Sequence, residues 1–210
     1  MQNLPILIDQ DGVVADFVKG LYHTLGHLLR PEEFAALPDP QGLSTFYIED
    51  CVDTGNPRLD EKLKSLIKEI VDDHPSMFLG LPEMPGAKVY LTMLKERAAA
   101  EGIDVLLCTA PHVENKTCHS DKAWWAGYHL GKPWAKNMIM THDKTLVQGL
   151  VLVDDKPVIT GRLQPTWQHI VFDAAYNRSS PGPRVKGWNE QTVEHILDIA
   201  LKAQLINGLK

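Results

Sequence analysis

The sequence predicts an α/β fold, a Rossmann-like three-layer sandwich around a parallel sheet, with a small helical cap inserted after the first strand. Three observations predict it. Short apolar runs bounded by polar turns recur along the 210 residues, each with the length and branching of a strand buried on both faces. Helical patterns separate most of these runs, and such alternation implies parallel pairing through right-handed crossovers. One early stretch breaks the rhythm with helical patterns alone.

In chain order, Leu4–Ile8 is the first strand. Phe17–Leu29 then reads as a helix, Pro38–Gly42 as a Pro-rich turn, and about Leu59 to Val71 as a second helix, with no buried strand among them. Residues 17–82 are therefore assigned to a cap over the carboxyl edge of the sheet, where α/β proteins bind ligands. Residues 1–16 and 83–210 form the core domain. Pro85-Gly86 precedes a helix over Ala87–Ala100, followed by a strand at Ile103–Cys108 and a helix over Ser120–Leu130. Strands follow at Asn137–Met140, Leu150–Val153 and His169–Phe172. Arg178–Gly187, rich in Ser, Pro and Gly, reads as a surface loop, and Asn189–Leu205 closes the chain as a helix.

Hydrophobic content of 44% and charged content of 23% are ordinary for a globular protein. A net charge of −6 argues against a nucleic-acid polymer as partner, since such binders carry a basic face. A small phosphorylated substrate needs only a locally positive pocket. Three cysteines without paired spacing, Cys51, Cys108 and Cys118, read as reduced thiols in a cytoplasmic protein. The N-terminus has no basic segment leading into an apolar one, and no run approaches membrane-spanning length, so neither a signal peptide nor a membrane partner is expected.

Four short motifs carry the chemistry. The first strand ends Asp9-Gln10-Asp11-Gly12-Val13-Val14. Alternation sends Asp9 and Asp11 to one side, and two such close carboxylates call for a compensating cation or hydrogen bonds. A hard divalent ion such as Mg²⁺ meets that need. A solvated Asp-rich turn is the plainer reading. An EF-hand loop is not, because Val13 and Val14 occupy positions that need an oxygen ligand and Gly. The second motif, Leu106–Pro111, is a buried strand ending in Thr109, whose hydroxyl can donate to a phosphate oxygen. Third, Lys144 follows a strand in Thr141–Thr145 and would supply fixed positive charge. Fourth, Asp154-Asp155 directly follows four apolar residues and can complete an oxygen cage, one carboxylate on the ion and its neighbour behind it. Each signal alone has a structural explanation. All four, however, fall at carboxyl ends of parallel strands, which lie on one edge of a sheet.

This order, Asp-x-Asp-Gly-Val, then strand-Thr, then Lys, then Asp-Asp, resembles the haloacid dehalogenase superfamily of phosphatases. Asp9–Phe17, Leu107–Pro111, Thr141–Thr145, Asp154–Pro157, Ile159–Gly161 and Pro165–His169 are similar to the 5′(3′)-deoxyribonucleotidase family. The resemblance covers roughly residues 4–17 and 82–197. It implies a Mg²⁺-dependent phosphatase that hydrolyses (deoxy)ribonucleoside monophosphates through an aspartyl-phosphate, with Asp9 as nucleophile and Asp11 as general acid–base. Thr109, Ala110 and Lys144 would hold the phosphoryl group. The metal would engage Asp9, Asp155 supported by Asp154, and Asp11 through its backbone carbonyl. The substrate pocket would include Phe17, Phe46 and His142, and a homodimer is compatible with the family. Three departures stand out: Gln10 where an apolar residue is usual, Ala110 where a second hydroxyl is common, and His142 where Arg is common. Competing readings are another small phosphate ester as substrate, or a nucleotide-binding regulatory module without turnover.

Other features point less far. Gly127–Lys132 imitates a phosphate loop but is too short, lacks Ser or Thr after Lys132, and follows a helix. His112, Cys118 and His119 fit no standard zinc spacing. Adjacent Trp124 and Trp125 on one helix imply one packed ring and one exposed ring. For Phe17, Phe46 and Phe78, cap core and base stacking are both open.

Overall fold

The computed structural model describes residues 4–208; the outermost residues of the expected core domain, 1–3 and 209–210, lie outside them. Six strands form one parallel sheet: β1 (Ile6–Ile8), β2 (Val105–Thr109), β3 (Ile139–Met140), β4 (Val151–Asp154), β5 (Gln168–Phe172) and β6 (Arg184–Val185). Their order is β3-β2-β1-β4-β5-β6. The chain therefore builds outward from β1 to β3 on one side, then crosses over to add β4 to β6 on the other. That reversal opens a crevice beside the carboxyl end of β1, the place where doubly wound sheets receive ligands. Register sharpens it: Ile8 pairs with both Leu107 and Val153, so the three central strands end almost level.

Among the described residues seven α-helices accompany the sheet: α1 (Phe17–Leu28), α2 (Pro31–Phe34), α3 (Pro57–Asp73), α4 (Ala87–Ala100), α5 (Cys118–His129), α6 (Lys132–Lys136) and α7 (Glu190–Gly208). Alternation on β1 sends Ile6 and Ile8 into the large core with residues of α4, α5 and α7. Leu7 faces the opposite way, into a smaller cluster with Cys108, Leu152 and Trp167. Val147 and Ile159, from the connections around β4, complete that second face. The third layer is thus built from loops and one short 3₁₀ turn, because the β3–β4 and β4–β5 connections carry no α-helix. Cys108 packs as the small hydrophobe its context predicts.

Between β1 and α4 the chain forms helices and 3₁₀ turns only. Two passes join this segment to the core, and they hydrogen-bond to one another. Asp16 N donates to Pro82 O at 2.8 Å, and Met84 N to Val14 O at 2.9 Å. Asp16 also caps α1 by accepting from Lys19 N, while Asn56 caps α3 ahead of Pro57. Leu63, Ile67 and Ile70 form the buried stripe of α3, and they join the same apolar cluster as β1.

One expectation needs correction. Arg178–Gly187 is not loop throughout, because Arg184 and Val185 pair with Val171 and Phe172 as β6. Two residues are too few to show any period. The edge is fixed instead by Arg184, whose guanidinium donates to Asp173 Oδ1 and Asn177 Oδ1, both at 2.7 Å. As the paired tryptophans required, Trp125 is fully buried and Trp124 is 71% exposed.

Candidate active site

The turn after β1 wraps around one carbonyl. Val14 N and Ala15 N donate to Gln10 O at 2.9 and 2.8 Å, and Gly12 N donates to Ala15 O at 2.8 Å. Gly12 takes φ +73°, where a side chain is disfavoured, and a Cβ there would strike the Asp155 carboxylate. Gln10 is fully buried, turning its amide to Lys122 O at 3.3 Å and so away from the cleft.

Around this turn the β-strand ends deliver their side chains. Asp9 follows β1 and is tied to β4 by its N–H on Val153 O at 2.9 Å. Lys144 heads a 3₁₀ turn whose start is capped by Asp143, and Trp167 Nε1 donates to Lys144 O at 3.2 Å, fixing the lysine's backbone. Its ammonium lies 2.8 Å from Asp9 Oδ1 and 2.6 Å from Asp154 Oδ2. Burial by itself would lower the Lys144 pKa, but Asp154 and Asp9 outweigh it and raise it. Lys144 therefore stays a cation. Asp154 also accepts from Lys156 N at 2.9 Å.

Asp155 is held from behind. Tyr176 donates its hydroxyl to Asp155 Oδ2, and Asn177 Nδ2 donates to Asp155 O at 2.7 Å. Burial first, and then the charges of Asp154 and Asp9, push the Asp155 carboxyl well above its usual range. Burial likewise raises Asp154, against the pull of Lys144. One ammonium does not neutralise three clustered carboxylates.

That imbalance is the test for a metal. Asp9, Asp154 and Asp155 can each place an oxygen so that all lie within 4.8 Å of one another, the only such group of three among the described residues. A compact set of hard oxygen donors short of positive charge suits a hard divalent cation. Asp154 has both oxygens engaged, by Lys144 and Lys156 N, whereas Lys144 meets only Oδ1 of Asp9 and Tyr176 only Oδ2 of Asp155, which leaves those two the freer donors. Asp11 stands apart from that group, and its Oδ2 accepts from Lys122. His112, Cys118 and His119 form no such group among the described residues, and Cys118 Sγ instead accepts from His112 N at 3.1 Å.

Lys122 is the residue that the sequence reading missed. Fully buried on α5, it donates from Nζ to Asp11 Oδ2 and to Thr109 Oγ1, both at 2.7 Å. The Thr109 hydroxyl, accepting there, keeps its own hydrogen free for a phosphate oxygen. Burial raises the Asp11 carboxyl while Lys122 pulls it back. The signal was present, because Cys118, Lys122, Trp125 and Ala126 sit at i, i+4, i+7 and i+8 on one buried stripe. A lysine in that stripe demands an acidic partner. Tyr176 lies in a loop far from any motif and carried no signal.

A cavity of about 450 Å³ gathers these groups. Asp9, Asp11, Thr109, Ala110, His142, Lys144, Asp154 and Asp155 all line it, and so do Phe17, Phe46 and Phe78 from the helical segment. Phe17 and Phe78 lie 6.2 Å apart between ring centroids, and Phe46 packs edge-on to Tyr176 at 5.6 Å. Every side chain assigned from the sequence to catalysis, phosphate, metal or substrate thus lines one chamber.

Gly12→Ala should be damaging on two counts. The left-handed backbone and the collision with Asp155 together should remove about 1–3 kcal/mol of stability. A displaced Asp155 should lower kcat on the order of a hundredfold. Thermal unfolding beside steady-state kinetics checks both, and an unchanged kcat would mean that Asp155 need not be held where it is.

The model of the family described as 5′ nucleotidase, deoxy (Pyrimidine), cytosolic type C protein matches residues 2–205. A Bordetella bronchiseptica protein whose name carries the term 5′(3′)-deoxyribonucleotidase is 36% identical over 190 residues, 90% of this chain and 94% of that one. The human 5′(3′)-deoxyribonucleotidase, cytosolic type, is 32% identical over 202 residues, covering 94% of each chain. The human mitochondrial 5′(3′)-deoxyribonucleotidase is 32% identical over 190 residues, 88% of this chain and 78% of that one. With the parallel sheet and the aspartate-lined cleft, these matches place the chain in the 5′(3′)-deoxyribonucleotidase family, as a phosphoric monoester hydrolase.

Proposed function

We propose that the protein hydrolyses nucleoside monophosphates, deoxyribonucleotides above all, to nucleoside and phosphate through an aspartyl-phosphate on Asp9. One observation carries this reading. The cavity of about 450 Å³ joins an acid- and lysine-lined end to a wall of Phe17, Phe46 and Phe78. A phosphate monoester with a flat apolar body matches both ends.

In the first half-reaction a carboxylate oxygen of Asp9 attacks phosphorus, and the bond from phosphorus to the ester oxygen breaks. Lys144 and the Thr109 hydroxyl hold the phosphoryl oxygens, with Ala110 lining the same end of the cleft. Asp11 gives its proton to the departing alkoxide, which leaves as the nucleoside hydroxyl. In the second half-reaction Asp11 takes a proton from water as that water attacks phosphorus. The bond from phosphorus to Asp9 then breaks, freeing phosphate and restoring the carboxylate. A group that gives and then takes a proton needs neither form strongly favoured. Burial raises the Asp11 carboxyl and Lys122 pulls it back, with burial the larger influence, which favours the protonated acid needed in the first half-reaction.

Asp9 and Asp155 would hold the metal ion, with the backbone carbonyl of Asp11, while Asp154 keeps Lys144 aligned. Mg²⁺ is the ion proposed, and when bound it would offset charge on the phosphoryl oxygens. The segment 17–82 would act as the cap, supplying the nucleoside-facing wall. That wall is mainly apolar, so a 2′-hydroxyl facing it would be buried without a partner, at a penalty. Cytosolic action is part of the same reading, supported by the cytosolic-type human relative and three free thiols.

The test is phosphate release from dUMP, dTMP, UMP and sugar phosphates, with Mg²⁺, with chelator and with excess Ca²⁺. The expected result is a kcat/KM for dUMP above that for UMP, by up to about a hundredfold. Activity should vanish in chelator and fall in Ca²⁺, whose longer and looser contacts would disturb the in-line geometry. Equal values for dUMP and UMP would mean that the pocket does not read the 2′ position. Negligible rates on every nucleotide, beside good turnover of a sugar phosphate, would replace the substrate class.

A further inference from the structure

A second cavity, of about 620 Å³, adjoins the first and shares Gly12, Val18 and Tyr176 with it. Its apolar walls come from Tyr22, Phe34, Leu43 and Met84, and its cationic groups are Lys19 and Arg178, with His23 beside them. The two carboxylates that line it are already engaged. Asp16 accepts from Lys19 N at 3.1 Å as the cap of α1, and Asp173 Oδ1 accepts from Arg184 at 2.7 Å. Neither the Lys19 ammonium nor the Arg178 guanidinium has a carboxylate within ion-pair distance among the described residues. Arg178 makes one hydrogen bond, to the Gln41 carbonyl at 3.2 Å. Two unpaired cations above an apolar floor suit an organic anion, and a guanidinium suits a phosphate most of all.

The shared residues give the cavity a consequence. Tyr176 donates its hydroxyl to Asp155, and Gly12 leaves the space that the Asp155 carboxylate fills. These two residues set the position of Asp155, and both also face the second cavity. A molecule seated there would touch two residues that contact Asp155 without entering the cleft.

We propose that this second cavity is an effector site for an organic phosphate of nucleotide size, coupled to catalysis through Tyr176 and Gly12. The inference does not depend on which ester the catalytic cleft hydrolyses. An effector alters the reaction only by favouring one arrangement of Tyr176 over another, so binding and rate must change together.

The experiment uses dTTP as probe and p-nitrophenyl phosphate as reporter, so that failure of the nucleotide-substrate reading does not affect it. Calorimetry in saturating inorganic phosphate, which occupies the catalytic cleft, should still show one dTTP site. Lys19→Ala/Arg178→Ala, both changes at exposed positions, should weaken that site about tenfold or more, as expected for lost charge-assisted hydrogen bonds. In the unsubstituted protein dTTP should change kcat for the aryl phosphate, an effect that competition for the cleft does not produce. The double variant should lose that response at dTTP concentrations that saturate the unsubstituted protein. Tyr176→Phe should bind dTTP and show a blunted response. Three results would each overturn the proposal: no binding under saturating phosphate, equal binding by the double variant, or binding that leaves kcat unmoved.

Discussion

Asp9→Asn should lower kcat by about 10⁴-fold or more on every phosphate ester, because the amide is a far poorer nucleophile and no neighbour replaces it. The fold should survive. Asp9 ends β1 among like charges, so neutralising it relieves repulsion with Asp154 and Asp155. Lys144 keeps its 2.6 Å contact with Asp154. Thermal unfolding should stay within a few degrees, while burst kinetics lose their covalent phase. A variant that unfolds early would mean that Asp9 mainly anchors Lys144. One that turns over at wild-type-like rates would remove the covalent mechanism outright.

Asp11→Asn should cost roughly 10²–10⁴-fold, the usual share of general acid–base catalysis. The loss should depend on the leaving group. A nucleoside alkoxide needs a proton as it departs, whereas p-nitrophenolate does not, so formation of the phosphoenzyme from the aryl ester should suffer less. Pre-steady-state release of p-nitrophenol measures that step alone, and equal losses with both esters would remove the general-acid role. Lys122→Met is the companion experiment. Lys122 holds the Asp11 carboxyl down against burial, so its removal should raise the Asp11 pKa further. The protonated acid would then persist to higher pH, and the alkaline limb of the kcat profile should move upward. An unmoved limb would make Lys122 a support for Thr109 alone.

What separates these two residues shows how far the sequence reaches. Asp9, Asp11, Thr109, Lys144, Asp154 and Asp155 were legible because each follows a strand, and all parallel strands end on one edge. Their convergence follows from local pattern and handedness, which a linear chain records. Lys122 sits mid-helix on α5, where its stripe marks it as buried. The sequence does not say which carboxylate it meets, 111 residues away in the chain. Tyr176 was less visible still. It reaches Asp155 because Asn177, fixed by Arg184, folds the loop back under the strand ends.

By itself the sequence determined the parallel sheet, the helical segment between β1 and α4, and the six residues of the four motifs at the strand ends. It could do so because period, turn chemistry and chain order are local properties. Only the tertiary structure decided that β6 completes the sheet, that loops and not α-helices cover the Leu7 face, and that Lys144 shares its charge between Asp9 and Asp154. It also decided which residues tune the acid: burial and ion pairing depend on distances between segments remote in sequence, and no local pattern encodes those distances.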